Sequence, residues 1–209
     1  MSARRSSDPK PWPMKWIVLG IIVGIAVYTY LTLHYRKPGP AYRPYEDFTN
    51  RANVERLLNA GFRRIETNAE RPADPQMLIR AMGALATVTD VAGGLPGGLS
   101  ATFIDAPLLP QIITSVYASK QIQTGLPYTV LFNCSLPNQK EQLGGSQIYI
   151  KDNTIAIVPQ FEALAGGLIA RTKESVVSIT IPGGILQPGR YIVTLTAIQS
   201  SKRWTLEVK

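Results

Sequence analysis

Three hydrophobic patterns follow one another along the chain. Trp16 to Leu33 is apolar with no charged residue in it. From residue 46, apolar side chains recur at three- and four-residue intervals, the period of a helix with one buried face. From about residue 110 they alternate with polar ones, the period of a strand. These changes divide the chain into a basic tail (1–15), an apolar span (16–33), a proline-rich linker (34–45), a mixed helix and strand region (46–109) and a mainly-β domain (110–209).

The apolar run has 18 residues. As a helix at about 1.5 Å per residue it reaches about 27 Å, close to the roughly 30 Å of bilayer hydrocarbon. Trp12 and Trp16 flank one end, and Tyr28, Tyr30 and Tyr35 the other, where aromatic rings favour the headgroup zone. A cleaved signal peptide is the competing reading, since basic residues precede the run. The stretch is longer than the usual apolar region of a signal, and no small-x-small site follows it. Arg36 and Lys37 act instead as a stop. We therefore expect a transmembrane helix that stays in place. Lys and Arg are nearly balanced across it, and the free amino group favours a cytoplasmic tail with the C-terminal domain exported. That places the protein in a cell envelope, on the periplasmic side of a bacterial inner membrane. Gly20 and Gly24 form a Gly-x-x-x-Gly pair that lets a second helix approach closely, making them helix-packing candidates.

Pro38, Pro40 and Pro44 stiffen the linker and end the helix. Phe48, Val54, Leu57, Leu58 and Phe62 then outline one face of a helix over residues 46–60, with Arg51, Glu55 and Arg56 opposite. Gly61 is placed to take the left-handed conformation that lets Phe62 fold back on Leu57. Residues 62–67 read as a strand. Asp74 and Pro75 open a short helix as cap and first residue. Eight of the nine Lys and Arg residues between His34 and Arg80 are arginine. Its planar fork suits carboxylates and phosphates, so Arg51, Arg56, Arg63 and Arg64 are the partner-contact candidates. Residues 84–91 and 99–104 read as two strands joined by the glycine-rich turn 93–98. That turn has the glycine spacing of a phosphate loop, but Leu99 stands where such a loop needs lysine, so nucleotide binding is not expected.

In the β domain, Tyr128, Val130, Phe132, Cys134 and Leu136 share one face. Ile148 and Ile150 meet Ile155 and Ile157 across a turn at Asp152-Asn153. Val177, Ile179 and Ile181 follow. Tyr191, Val193, Leu195 and Ala197 come next, then Trp204, Leu206 and Val208. About seven strands with Gly/Pro turns predict an antiparallel sandwich. Leu186-Gln-Pro188-Gly189-Arg-Tyr191 resembles the Leu-x-Pro-Gly-x-Tyr corner of immunoglobulin-like and fibronectin type III-like domains. The resemblance covers residues 110–209 and implies an immunoglobulin-like sandwich whose tyrosine hydroxyl bonds back to the loop backbone. Leu186, Pro188, Gly189, Tyr191 and Trp204 would define that fold. Two departures stand beside it: Cys134 has no partner cysteine, and Trp204 lies on the last strand rather than the third.

Composition narrows the function. The net charge is +8, with four of the basic residues before the apolar run and the rest spread thinly, so nucleic-acid binding is not expected. One histidine, His34, and one cysteine, Cys134, do not make a metal site, a triad or a disulfide. No cofactor, small-molecule substrate or catalytic residue is indicated. The expectation is a membrane-anchored, non-catalytic interaction or accessory module, acting on another envelope protein or on itself. A self-associating adhesion or scaffold protein is the alternative, and an enzyme is the weakest reading.

Overall fold

A computed structural model describes residues 13–35, 44–104, 106–164 and 168–209. The expected tail up to residue 12 and the linker residues 36–43 lie outside the described residues. The chain divides into two units, Met1–Pro44 and Tyr45–Lys209.

The first unit contains α1 (Met14–Tyr35), two residues longer at each end than the expected span. None of its residues is buried, and its mean hydropathy reaches 2.1 over 18 residues. It is long and apolar enough to cross a membrane. A soluble core helix of this composition would bury one side, and α1 buries none.

The second unit is built mainly of strands. In chain order it contains α2 (Pro44–Asn59), β1 (Arg63–Thr67), β2 (Ala69–Glu70), α3 (Pro75–Ala81), β3 (Thr89–Ala92) and a helical turn, α4 (Gly97–Ser100). Then come β4 (Ile112–Ala118), β5 (Gln121–Ile122), β6 (Tyr128–Ser135), β7 (Glu141–Lys151), β8 (Thr154–Ala163), β9 (Glu174–Ile181), β10 (Gly189–Leu195) and β11 (Ser200–Val208). One curled sheet has the order β1-β7-β8-β10-β11-β3, with β5 also on β11. The second has the order β2-β9-β6-β4 and is antiparallel throughout.

The first sheet corrects the expected all-antiparallel sandwich. β8 and β10 pair in parallel, as do β5 and β11. The cause is the path of the chain. After β8 it crosses to the other sheet as β9, then returns beside β8 running the same way. Parallel neighbours need such a long crossover, and a tight hairpin cannot supply one. The result is a mixed, curled sheet facing an antiparallel one. Strands β1, β2 and β3, from before residue 110, belong to these sheets.

The core lies between the sheets, and alternation built it. Tyr128, Val130, Phe132, Cys134 and Leu136 all point inward, as do Ile148, Ile150, Ile155 and Ile157 across their hairpin. Asp152 takes φ 49°, the left-handed turn position that Asp tolerates. The inward residues of β9, β10 and β11 are those the alternation predicts, including Trp204. The Tyr191 corner forms too. Its hydroxyl donates to Gln187 O at 3.0 Å and accepts from Gln187 N at 3.2 Å.

Three local expectations fail in whole or in part. The 99–104 strand is absent, because Leu99 N and Ser100 N both bond back to Pro96 O at 2.8 and 2.9 Å, winding this segment into α4. Leu99 is thereby buried under the curled sheet's outer face. Of the 84–91 strand, residues 89–91 form, within β3 (Thr89–Ala92), and Leu85 makes one isolated bridge to Ser119. The predicted stripe of α2 is also narrower than its period suggested. Leu57 is buried, but Phe48 and Leu58 are 77% and 60% exposed.

Candidate interaction groove

The outer face of the curled sheet is apolar where β7 and β8 pair, and α2 covers it. Tyr149, Ala156 and Val158 point outward there and pack with Leu57, Leu99 and Leu109. The end of α2 is fastened by the predicted cap. Gly61, at φ +82°, donates to Leu58 O, and Phe62 N donates to Leu57 O, both at 2.9 Å. Asn53 is buried on the same helix side as Leu57. Its Oδ1 accepts from Ile104 N at 2.8 Å and holds the following segment against the helix.

Between α2, the sheet face, Phe103 and residues 106–108 a groove of about 470 Å³ remains open. Arg64 and Gln147 line its floor, Thr49 and Asn53 one wall, Phe103 and Leu108 the other. Phe103 meets Tyr149 edge-on, with ring centres 5.5 Å apart. Burial pushes the Tyr149 phenol up to about 12. Nearby Arg64 pulls against that shift and Glu66 adds to it. The phenol donates to Gln147 Oε1, and Arg64 pairs with Glu66 on the same strand. Arg64 Nε is buried and has no hydrogen-bond partner among the described residues. A guanidinium, side-chain amides and a neutral phenol can bind peptide groups or a carboxylate. A phenol that stays protonated to about 12 is a poor proton acceptor at neutral pH.

The arginine candidates do not converge. Arg64 lies in the groove, and Arg63, on the opposite face of β1, donates to Ile185 O. Arg56 reaches Ala101 O at 3.4 Å, and Arg51 is exposed on α2. Gly20 and Gly24 have nothing within 4 Å of where a Cβ would stand. Leu186 and Tyr191 are buried at the corner, and Trp204 Nε1 donates to Tyr128 Oη at 2.8 Å inside the core. Cys134 is a buried thiol pushed up to about 12 by burial, with Arg71 opposing the shift. His34 stacks on Tyr30 at 5.8 Å. Among the described residues no three His, Cys, Asp or Glu side chains cluster to hold a metal.

Asn53, Gln147, Tyr149 and Phe103 escaped the sequence reading. Two signals pointed to them. Asn53 occupies a core register of α2, four residues before Leu57. The runs Ile148-Tyr-Ile150 and Ile155-Ala-Ile-Val158 are continuously apolar, as strands covered on both faces are. No family model, no curated protein and no solved structure matches this chain.

Proposed function

We propose that the chain is a single-pass, membrane-anchored, non-catalytic interaction module of a bacterial cell envelope. Its tail is cytoplasmic and its β-rich head lies on the periplasmic side of the inner membrane. The observation that carries this reading is α1, an apolar helix of 22 residues without one buried side chain. Trp16 at one end and Tyr28, Tyr30 and Tyr35 at the other support its use as a permanent anchor. The head serves as an accessory subunit and holds a partner protein in the groove beside Arg64. Its kinship with immunoglobulin-like domains rests on the Tyr191 corner and the two facing sheets, and the parallel pairs depart from it.

Alkaline carbonate extraction tests the anchor, and mass spectrometry of the N-terminus tests cleavage. The chain should stay in the membrane pellet with Met14–Tyr35 attached. Release into the supernatant, or a mature chain starting after Leu33, refutes the reading. Crosslinking in native membranes tests the partner. An adduct with another envelope protein, weakened by Arg64→Glu, is expected, and a monomer under every gentle extraction argues against it.

Self-association is the second reading. It rests on Gly20 and Gly24, which leave one side of α1 open. Replacing both by isoleucine should abolish crosslinked homodimers, and an unchanged pattern removes this version.

A further inference from the structure

Between β8 and β9 the described residues 168–172 carry exposed apolar and cationic side chains. Leu168 and Ile169 are 65% and 67% exposed. With Leu143 and Leu164 they wall a cavity of about 440 Å³ that also holds Arg71 and Arg171. No carboxylate lines it. Arg71 donates to Ser175 Oγ at 3.4 Å, and Arg171 has no polar partner among the described residues. Exposed Lys140 and Lys173 stand alongside, because Leu164 N bonds Lys140 O and Leu136 N bonds Lys173 O. The carboxylates of this end lie off the cavity. Glu141 accepts from Asn138, Glu162 lies against Gly144, and Glu174 borders a separate cavity beside Cys134. Exposed aliphatic tips flanked by cations match the boundary of an anionic bilayer, where apolar side chains enter the acyl region and guanidinium groups meet phosphate.

A second observation points to the same end. Leu57, late in α2, packs with Phe62 just before β1. Residue 63 of β1 faces residue 150, next to the β7–β8 turn. Thr49, early in α2, lines the groove with Gln160 and Phe161, where β8 runs out toward the loop. The helix, first element of the head in chain order, therefore begins at the loop end of the sheet.

We propose that this end of the head, through Leu168, Ile169, Arg71 and Arg171, docks on the anionic phospholipid surface of the membrane that anchors the chain. The inference rests on the anchored reading. Docking would set which way the groove faces, because the groove runs along α2 from this same end.

The test uses the full chain with Ile169→Cys carrying an environment-sensitive fluorophore. Native Cys134 is buried and does not compete for label. The protein is reconstituted in phosphatidylcholine vesicles with and without phosphatidylglycerol, doped with a spin-labelled quencher lipid. Both leaflets have the same composition, so insertion direction does not matter. Phosphatidylglycerol should shift the emission to the blue and expose the probe to quenching. Arg71→Glu with Arg171→Glu should reverse this, each lost cation weakening docking about fivefold. A probe at Leu126→Cys, at the opposite end of β6, should stay solvent-like. Equal quenching at both positions, or none at residue 169, overturns the proposal. Loss of the signal on adding millimolar inorganic phosphate reassigns the cavity to free phosphate and also overturns it. Failure of the anchor shows separately, as chain released by alkaline extraction. In that case the blue shift on adding anionic vesicles to soluble protein still decides the docking question.

Discussion

Tyr128 offers the sharpest test of how the two sheets are joined. It lies on β6 of the antiparallel sheet and is fully buried. Its hydroxyl accepts from Trp204 Nε1 on β11 of the curled sheet at 2.8 Å, and donates to Ser119 O at 3.1 Å. Burial pushes its phenol far above the ordinary range, against the pull of the Trp204 N–H. Tyr128→Phe keeps the ring and removes both bonds. The indole N–H is then left inside the core without a partner, at a cost of about 1–3 kcal/mol. The bond to Ser119, which is only half-buried, adds about 0.5–1.5 kcal/mol. The expected loss is therefore about 2–4 kcal/mol, or roughly 5–12 °C in Tm for a domain of this size. Trp204→Phe loses the same bond together with packing volume. In the double variant the orphaned N–H no longer exists, so the combined loss should fall short of the sum by about 1–2 kcal/mol. Urea unfolding of the reconstituted chain, followed by far-UV circular dichroism, measures all four corners of the cycle. Additive losses, or a Tyr128→Phe effect below about 0.5 kcal/mol, would refute the argument that this bond ties the sheets together.

Further predictions test other parts of the head. Tyr191→Phe removes both bonds to Gln187 and should cost about 1–2 kcal/mol, measured by the same unfolding; a neutral effect would strip the corner of its structural role. Gly93→Ala should destabilise by more than about 2 kcal/mol, because the new Cβ would stand 2.1 Å from Ile198 O, whereas Gly97→Ala meets nothing within 4 Å and should be nearly silent. Equal effects at the two glycines would show that close approach is not what requires Gly93. The buried thiol of Cys134 and phenol of Tyr149, both raised to about 12 by burial, keep their protons in the folded state while the unfolded chain releases them from about 9 and 10. The unfolded state then binds fewer protons, so stability should hold below about pH 8.5 and fall between about pH 9 and 12. Cys134→Ala should delay that fall by about one pH unit, and a flat urea midpoint across this range would contradict the burial.

What could be read in advance was local. β6 buries one face against the opposite sheet, so its four alternating residues, and Leu136 just after them, announced their direction without knowledge of any neighbour. The cap at Gly61 and the corner at Tyr191 are short motifs whose hydrogen bonds close within five residues. Where a segment's fate depended on a distant surface, the pattern misled. Leu99 is apolar and follows a glycine-rich turn, as a strand residue would be. The opportunity to bury it under β7 and β8 exists only once α2 has roofed that face. Phe48 and Leu58 have the spacing of a buried stripe, but the exposed apolar strip of the sheet is only wide enough for Leu57 and its neighbours.

The same distinction explains both the parallel pairing and the groove. Nothing in Thr154–Ala163 or Gly189–Leu195 specifies a parallel partner, since each is apolar enough on its inner face to sit anywhere in the sheet. The choice is made by β9. Eight of its residues pair with β6 in the other sheet, which removes it from the place between β8 and β10 that a meander would give it. Once β10 lies beside β8, the outer faces of β7 and β8 are left apolar near one edge of the sheet, and α2 is the element positioned to cover them. Together with Leu99, Leu109 and Phe103 it buries Tyr149 and Val158 but stops short of Arg64 and Gln147, and that shortfall is the groove. The proposed binding surface is therefore a consequence of strand order. A variant that weakens the β6–β9 pairing should disturb the groove even though it lies on the opposite face of the core. Val177→Ala, at a fully buried β9 position, should lower stability by about 1–3 kcal/mol. If the strand order holds the groove open, conditions that begin to unfold this variant should lose the Arg64-dependent crosslink together with the core. A crosslink that outlasts the core would show that α2 and β7 form the groove on their own.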